Sequence, residues 1–121
     1  MKEYSFEKLE AWKVSKALAI KIYQLTADFP SEEKFGLVSQ MRRAAVSISS
    51  NLAEGSGRQS PKDQAHFSQI AFSSSLELLN QLIITKELLF ITQSEYENHR
   101  TDIEKLNLLI ARLRKSQLNR I

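Results

Sequence analysis

Apolar residues recur every three or four positions in four long runs along the chain, and each run reads as one face of a helix. In the first, predicted over about 6–28, Ala11, Val14, Leu18, Ile22, Leu25 and Phe29 share a face. Trp12, Ala19 and Tyr23 widen that face on one side, while Lys13, Lys21 and Gln24 lie opposite. Phe29-Pro30 ends the run, because the residue before a proline is pushed out of the helical region. Ser31 offers an N-cap, and Glu32 and Glu33 suit the positive end of a helix dipole. A second helix is therefore predicted over about 32–54, with Leu37, Met41, Ala44, Ile48 and Leu52 as its stripe. Gly55-Ser56-Gly57 closes it, glycine suiting the left-handed conformation that follows many helices.

Ser60-Pro61-Lys62-Asp63 opens a third helix, predicted over about 61–90, with a capping serine, a proline in the first turn and an acid at the third position. Thr92 to Glu97 then caps a fourth over about 95–118, with Ser94 and Glu97 in capping-box spacing. Its stripe is Tyr96, Ile103, Leu106, Ile110 and Leu113, with His99 and Gln117 in the matching slots. Connections this short hold neighbouring helices antiparallel. The predicted fold is all-α, an antiparallel up-down-up-down four-helix bundle forming one domain over 1–121. One segment exceeds what such a bundle needs. LELLNQLIITKELLFI, from Leu76 on, is apolar nearly all round, and a helix apolar on every side needs cover on every side. Self-association is the expected result.

Composition adds exclusions. Three glycines and two prolines in 121 residues leave the helices uninterrupted, and a chain of this size can bury roughly two-thirds of its unfolded surface in one core. No cysteine occurs, which excludes disulfides and thiolate metal sites. The charged N-terminus lacks the apolar run of a signal peptide, and no window approaches a membrane span, so a cytoplasmic chain without a membrane partner is expected. The net charge is +3, but residues 112–121 carry Arg112, Arg114, Lys115 and Arg120 with no acid, so this tail's +4 leaves −1 for the rest. Those four cations, with Arg42 and Arg58, are the candidates for contacting RNA or DNA phosphates. The competing reading is that basic residues near a helix C-terminus complement its dipole.

Catalytic and cofactor chemistry finds little footing. Gly55-Ser56-Gly57-Arg58 resembles a phosphate cradle superficially, but it follows a helix and lacks the strand and Gly-Lys-Ser/Thr ending such a loop needs. Ser47, Ser49 and Ser50 have no nucleophile elbow around them, and only His66 and His99 could serve as a base. Asp63 and His66, three apart on one helix face, leave a weaker reading as an enzyme or ligand-binding bundle. No Glu-x-x-His pair or H-E-x-x-H run occurs, so no metal, cofactor or small-molecule substrate is expected. A further set on the second helix is small and polar. Arg43, Ser47, Asn51 and Glu54 share a stripe beside the apolar one, and Ser73, Ser74, Ser75 and Glu77 answer on the third. Small residues let two helices approach closely, so Arg43, Ser47, Asn51, Glu54 and Glu77 are expected to form a partly buried polar seam, with a plain solvated face as the alternative.

Several of these positions recur together in a known family. They are Phe6, Leu9, Ala11 and Trp12; Ile22-Tyr23, Thr26 and Phe29-Pro30; Glu33, Gly36-Leu37, Gln40 and the run Arg42 to Ile48; Asn51 to Gly55 with Arg58; and Phe67, Ala71, Ser74, Glu77 and Leu78. The chain resembles the four-helix bundle proteins encoded by intervening sequences in bacterial 23S ribosomal RNA genes. That resemblance implies a small up-down bundle that assembles into a ring, a homopentamer, with no catalytic residues. The family is in turn similar to the accessory protein of diversity-generating retroelements, a pentameric basic barrel that binds nucleic acid. The expected function is a non-enzymatic scaffold or interaction protein; the alternative is an RNA- or DNA-binding accessory protein using the basic last helix.

Overall fold

A computed structural model describes all of residues 1–121. Four helices follow one another: α1 (Glu10–Thr26), α2 (Leu37–Ser56), α3 (Pro61–Glu87) and α4 (Gln93–Leu118). They pack as a four-helix bundle in which each neighbours the next and α4 closes against α1. No helix is long and apolar enough to cross a membrane.

Local chemistry sets the helix ends, and several differ from the sequence expectation. The chain does not become α-helical at residue 6. Ser5–Lys8 forms a short 3-10 helix, Leu9 is extended, and the step places the Phe6 ring edge-on to Trp12, 5.0 Å between centroids. Ser31–Glu33 likewise makes its own 3-10 turn, and α2 starts only after Gly36, whose backbone lies outside the helical region. Ser60 caps α3 as expected, its hydroxyl accepting the Asp63 N–H at 3.0 Å. The capping box of α4 is formed by Thr92 and Glu95, not Ser94 and Glu97. The Glu95 N–H donates to the Thr92 hydroxyl at 3.0 Å and the Thr92 N–H to the Glu95 carboxylate at 2.8 Å, so the helix begins at Gln93.

The end of α3 is the departure that sequence could not signal. The helix stops at Glu87, not 90, because Leu89 adopts φ 63°, the only positive φ at a non-glycine residue. Its N–H donates to the Lys86 carbonyl at 3.0 Å and the Phe90 N–H to the Thr85 carbonyl at 3.0 Å, the paired bonds of a Schellman ending. Glycine normally fills that position, since a Cβ there crowds the carbonyl. Leu89→Gly should therefore raise the unfolding free energy by about 0.5–1 kcal/mol, the relief of strain exceeding the entropy lost by glycine. Urea unfolding checks it; an unchanged or lower midpoint would contradict the strain assignment.

The core draws on all four helices. Leu18, Ile22, Met41, Ile48, Leu78, Leu82, Ile103, Leu106 and Ile110 are fully buried. Buried hydroxyls are satisfied mostly by their own helix: Thr26 donates to the Ile22 carbonyl and Thr85 to that of Leu82, both at 2.8 Å. Between α3 and α4, Ser68 donates to Gln117 Oε1 at 2.7 Å and Ser75 to Asn107 Oδ1. On the outside, Lys21 ties α1 to α4 through Asn98 and Asp102.

Candidate interaction surfaces

The expected polar seam forms around its small members. Ser47 on α2 meets Ser74 on α3 with 2.9 Å between hydroxyl oxygens, and the Asn51 amide donates to the Ser47 carbonyl and hydroxyl at 2.8 and 3.1 Å. Arg43, Glu54 and Glu77 are exposed instead. Glu77 only accepts from the Gln81 amide at 3.4 Å, and neither Arg43 nor Glu54 is among the three ion pairs, Lys8–Glu3, Lys21–Asp102 and Arg100–Glu104. The physical reason is distance. Where α2 and α3 come this close, serine fits between them and longer charged side chains turn out to water. Gly55 belongs to the same contact. No glycine has positive φ, and Gly55 lies buried within α2, where an added Cβ would stand 2.9 Å from Phe67 Cβ. The expectation of a left-handed cap is replaced by a close-approach role.

The six candidate phosphate-binding cations do not form one surface. Arg112 and Lys115 are exposed on α4. Arg114 is half-buried and, with Lys115, lines a groove of about 350 Å³ beside Gln69, Phe72, Ile110 and Leu118, its Nε buried without a partner. Arg120 donates to Gln64 Oε1 at 2.7 Å, while the Gln64 amide donates to the Arg58 carbonyl and the Arg58 guanidinium stacks 4.5 Å from the Phe67 centroid. Those two cations therefore meet at one end of the bundle. Arg42 stands near the other end, its sequence offset from Arg58 corresponding to roughly 24 Å of helix. There its Nε donates to the Thr26 hydroxyl at 2.9 Å, its Nη2 to the Tyr23 carbonyl at 3.2 Å, and its Cζ lies over the Tyr23 ring, 4.5 Å from the centroid.

Around Arg42 the structure assembles residues that sequence reading did not bring together. Tyr23, Lys34, Phe35, Val38, Ser39, Arg42, Arg43 and Val46 line a depression of about 460 Å³ with no acid among them. A second depression, of about 280 Å³, shares Lys34, Val38 and Arg42 and continues it past Thr26 to Phe29, Pro30 and Ser31. Lys34 and Phe35 were missed because they sit in the break before α2, where no periodicity operates. The only sequence signal was an aromatic beside a cation in a polar connection.

Apolar side chains also remain outside. On α3, Leu76 and Ile83 point outward on the flank that carries Phe72, and Ile84 and Leu88 on the flank nearer Ser74 and Gln81. Leu76 is 47% and Leu88 49% exposed, too open for core positions.

The histidines are apart from each other and from the serines. His66 is exposed, its ring edge-on to Phe67, and no hydrogen bond links it to Asp63. His99 is buried with Nδ1 2.6 Å from the Glu95 carbonyl oxygen, which makes Nδ1 the donor. Ser49 and Ser56 donate to backbone carbonyls of their own helix. No group of three or more histidine, aspartate or glutamate side chains converges as a metal site would require. Arg100 has its pKa raised above the usual guanidinium value by its hydrogen bond to the Tyr96 hydroxyl and, next, by Glu104, so its charge is constant at any working pH.

Comparison with known proteins adds three findings. The family described as 23S rRNA-intervening sequence protein matches residues 7–112, a span that includes Lys34, Phe35, Arg42, Arg43 and Gly55 and ends at Arg112. A solved structure from Bacteroides thetaiotaomicron, a protein with unknown function from the S23 ribosomal protein family, is similar in fold. It has a TM-score of 0.78 and 24% identity, covering 87% of this chain and 98% of that one. No curated protein matches significantly.

Proposed function

The chain belongs to the 23S rRNA-intervening sequence protein family, and from that premise we propose that it acts without catalysis, as a homo-oligomeric scaffold or interaction protein. The outward apolar face of α3 carries this reading. Leu76 and Ile83 lie exposed together on its Phe72 flank, and Ile84 and Leu88 on the other, and apolar surface left outside a bundle in this way marks association sites. The family resemblance read from the sequence implies a closed ring of subunits, a pentamer, in which each copy offers one surface and receives another. The cytoplasm, where the ribosomal RNA genes that give the family its name are transcribed, is the compartment this reading assigns.

Light scattering tests it. The mass should be several times the 13.9 kDa of one chain. Leu76→Glu combined with Ile83→Glu should shift it to a folded monomer, because each places a charge where apolar contact is needed. A wild-type monomer at micromolar concentration would overturn the assembly, and a double variant that keeps the wild-type mass would overturn the role of α3.

A further inference from the structure

We infer that the groove between the end of α1 and the start of α2 binds single-stranded nucleic acid, through Lys34, Arg42 and Arg43 with the rings of Tyr23 and Phe35. This goes beyond the scaffold role and uses a different face of the bundle. Sequence-tolerant recognition of single strands combines cations that follow the phosphates with aromatic faces on which bases stack. Both are present in one groove. Lys34 and Arg43 have no acidic partner within ion-pair distance. Arg42 is held in place by two hydrogen bonds and by Tyr23, which leaves three of its five N–H groups without a protein partner.

The rings are in the right state as well. Phe35 is 89% exposed and Tyr23 46%, the former with the Lys34 ammonium 5.5 Å from its centroid. An exposed phenylalanine between cations is an unused stacking surface, and Arg42 already shows the geometry by lying over Tyr23. The two adjoining depressions lengthen the groove from Val46 to Ser31, enough for a strand to run along it and not only end there. A duplex keeps its bases stacked on one another, so these rings select unpaired bases. The α4 groove of Arg114 and Lys115 offers only the half-buried Phe72 ring, where the α1–α2 groove offers a freely exposed one in Phe35.

Fluorescence anisotropy with a short labelled oligouridine, and with oligodeoxythymidine to separate RNA from DNA, tests the assignment. Phe35→Ala should weaken binding about tenfold with an unchanged salt slope, since it removes one stacked base. Lys34→Ala with Arg43→Ala should flatten the slope of log affinity against log salt by about 1.4, two phosphate contacts being lost. All three residues are exposed on the surface, so helix content and light-scattering mass should match wild type. A variant that loses the oligonucleotide at unchanged mass therefore separates this site from the assembly. Equal affinity for a duplex, equal competition by an acidic peptide, no measurable binding, or a loss produced by Arg112→Ala with Lys115→Ala while Phe35→Ala has no effect would each overturn it.

Discussion

Leu78→Ala should lower the unfolding free energy by about 2–5 kcal/mol, enough to remove much of the stability of a domain this size. Leu78 sits on the inward face of α3 with no exposed surface, in a cluster to which all four helices contribute. Removing its three outer carbons loses their transfer free energy. The cavity left behind adds to the loss, because neighbours anchored on four separate helices can close on it only partly. The melting temperature should fall by roughly 8–20 °C. Leu108, 61% exposed on α4, supplies the comparison. Its replacement by alanine should stay within about 0.5 kcal/mol of wild type. Equal losses at the two positions would mean that the core is not where the structure places it.

At Gly55 the expected effect has the opposite chemical origin, since there one methyl is too many. A Cβ at that position would meet Phe67 Cβ at 2.9 Å, well inside the 3.5–4.0 Å at which carbon atoms attract. The obstructing atom is bonded to the α3 backbone and cannot rotate away. Relief requires α2 and α3 to separate, which stretches the 2.9 Å Ser47–Ser74 hydrogen bond and loosens the packing of Phe67 under Arg58. Gly55→Ala should therefore cost about 1–3 kcal/mol, despite the gain of up to about 1 kcal/mol that alanine normally brings to a helix. Gly57→Ala isolates that gain. A Cβ there meets nothing nearer than the Glu54 carbonyl oxygen at 3.5 Å, so this change should leave stability unchanged or raise it by about 0.4–1 kcal/mol. Thermal melts of both variants, with far-ultraviolet circular dichroism to confirm the helices, decide the matter. Gly55→Ala at or above wild-type stability would remove the close-approach explanation.

These two positions show where sequence reading stops. That Leu78 belongs to an apolar helix is legible, but in a segment apolar nearly all round its burial cannot be told from the exposure of Leu76. The role of Gly55 is not legible, because a glycine near a helix end has a ready local explanation as a terminator. Only the distance to Phe67 displaces it. Leu89 is the converse case: nothing local in leucine announces a left-handed residue, and the helix ended earlier than its periodicity indicated.

The candidate surfaces divide along the same line. Size and spacing mark Ser47 and Asn51 as seam residues, and Ser47 meets Ser74 while Asn51 donates to Ser47, but Arg43, Glu54 and Glu77, given equal standing, face solvent. The basic tail was conspicuous because its charges are consecutive in sequence. Consecutive residues point in different directions on a helix, so Arg112 is left out of the groove that Arg114 and Lys115 line. Lys34 and Arg43, nine positions apart, come together beside Arg42.

Sequence alone determined the four helices, their antiparallel order, most of the core and the family, because each depends on spacing within a helix or on connections too short to permit another path. Tertiary structure alone decided which polar side chains meet, why Gly55 must be glycine, where α3 stops and which cations share a groove. Periodicity sets each residue's angle around its own helix axis. The separation and rotation of one helix against the next follow from side chains distant in the chain packing together.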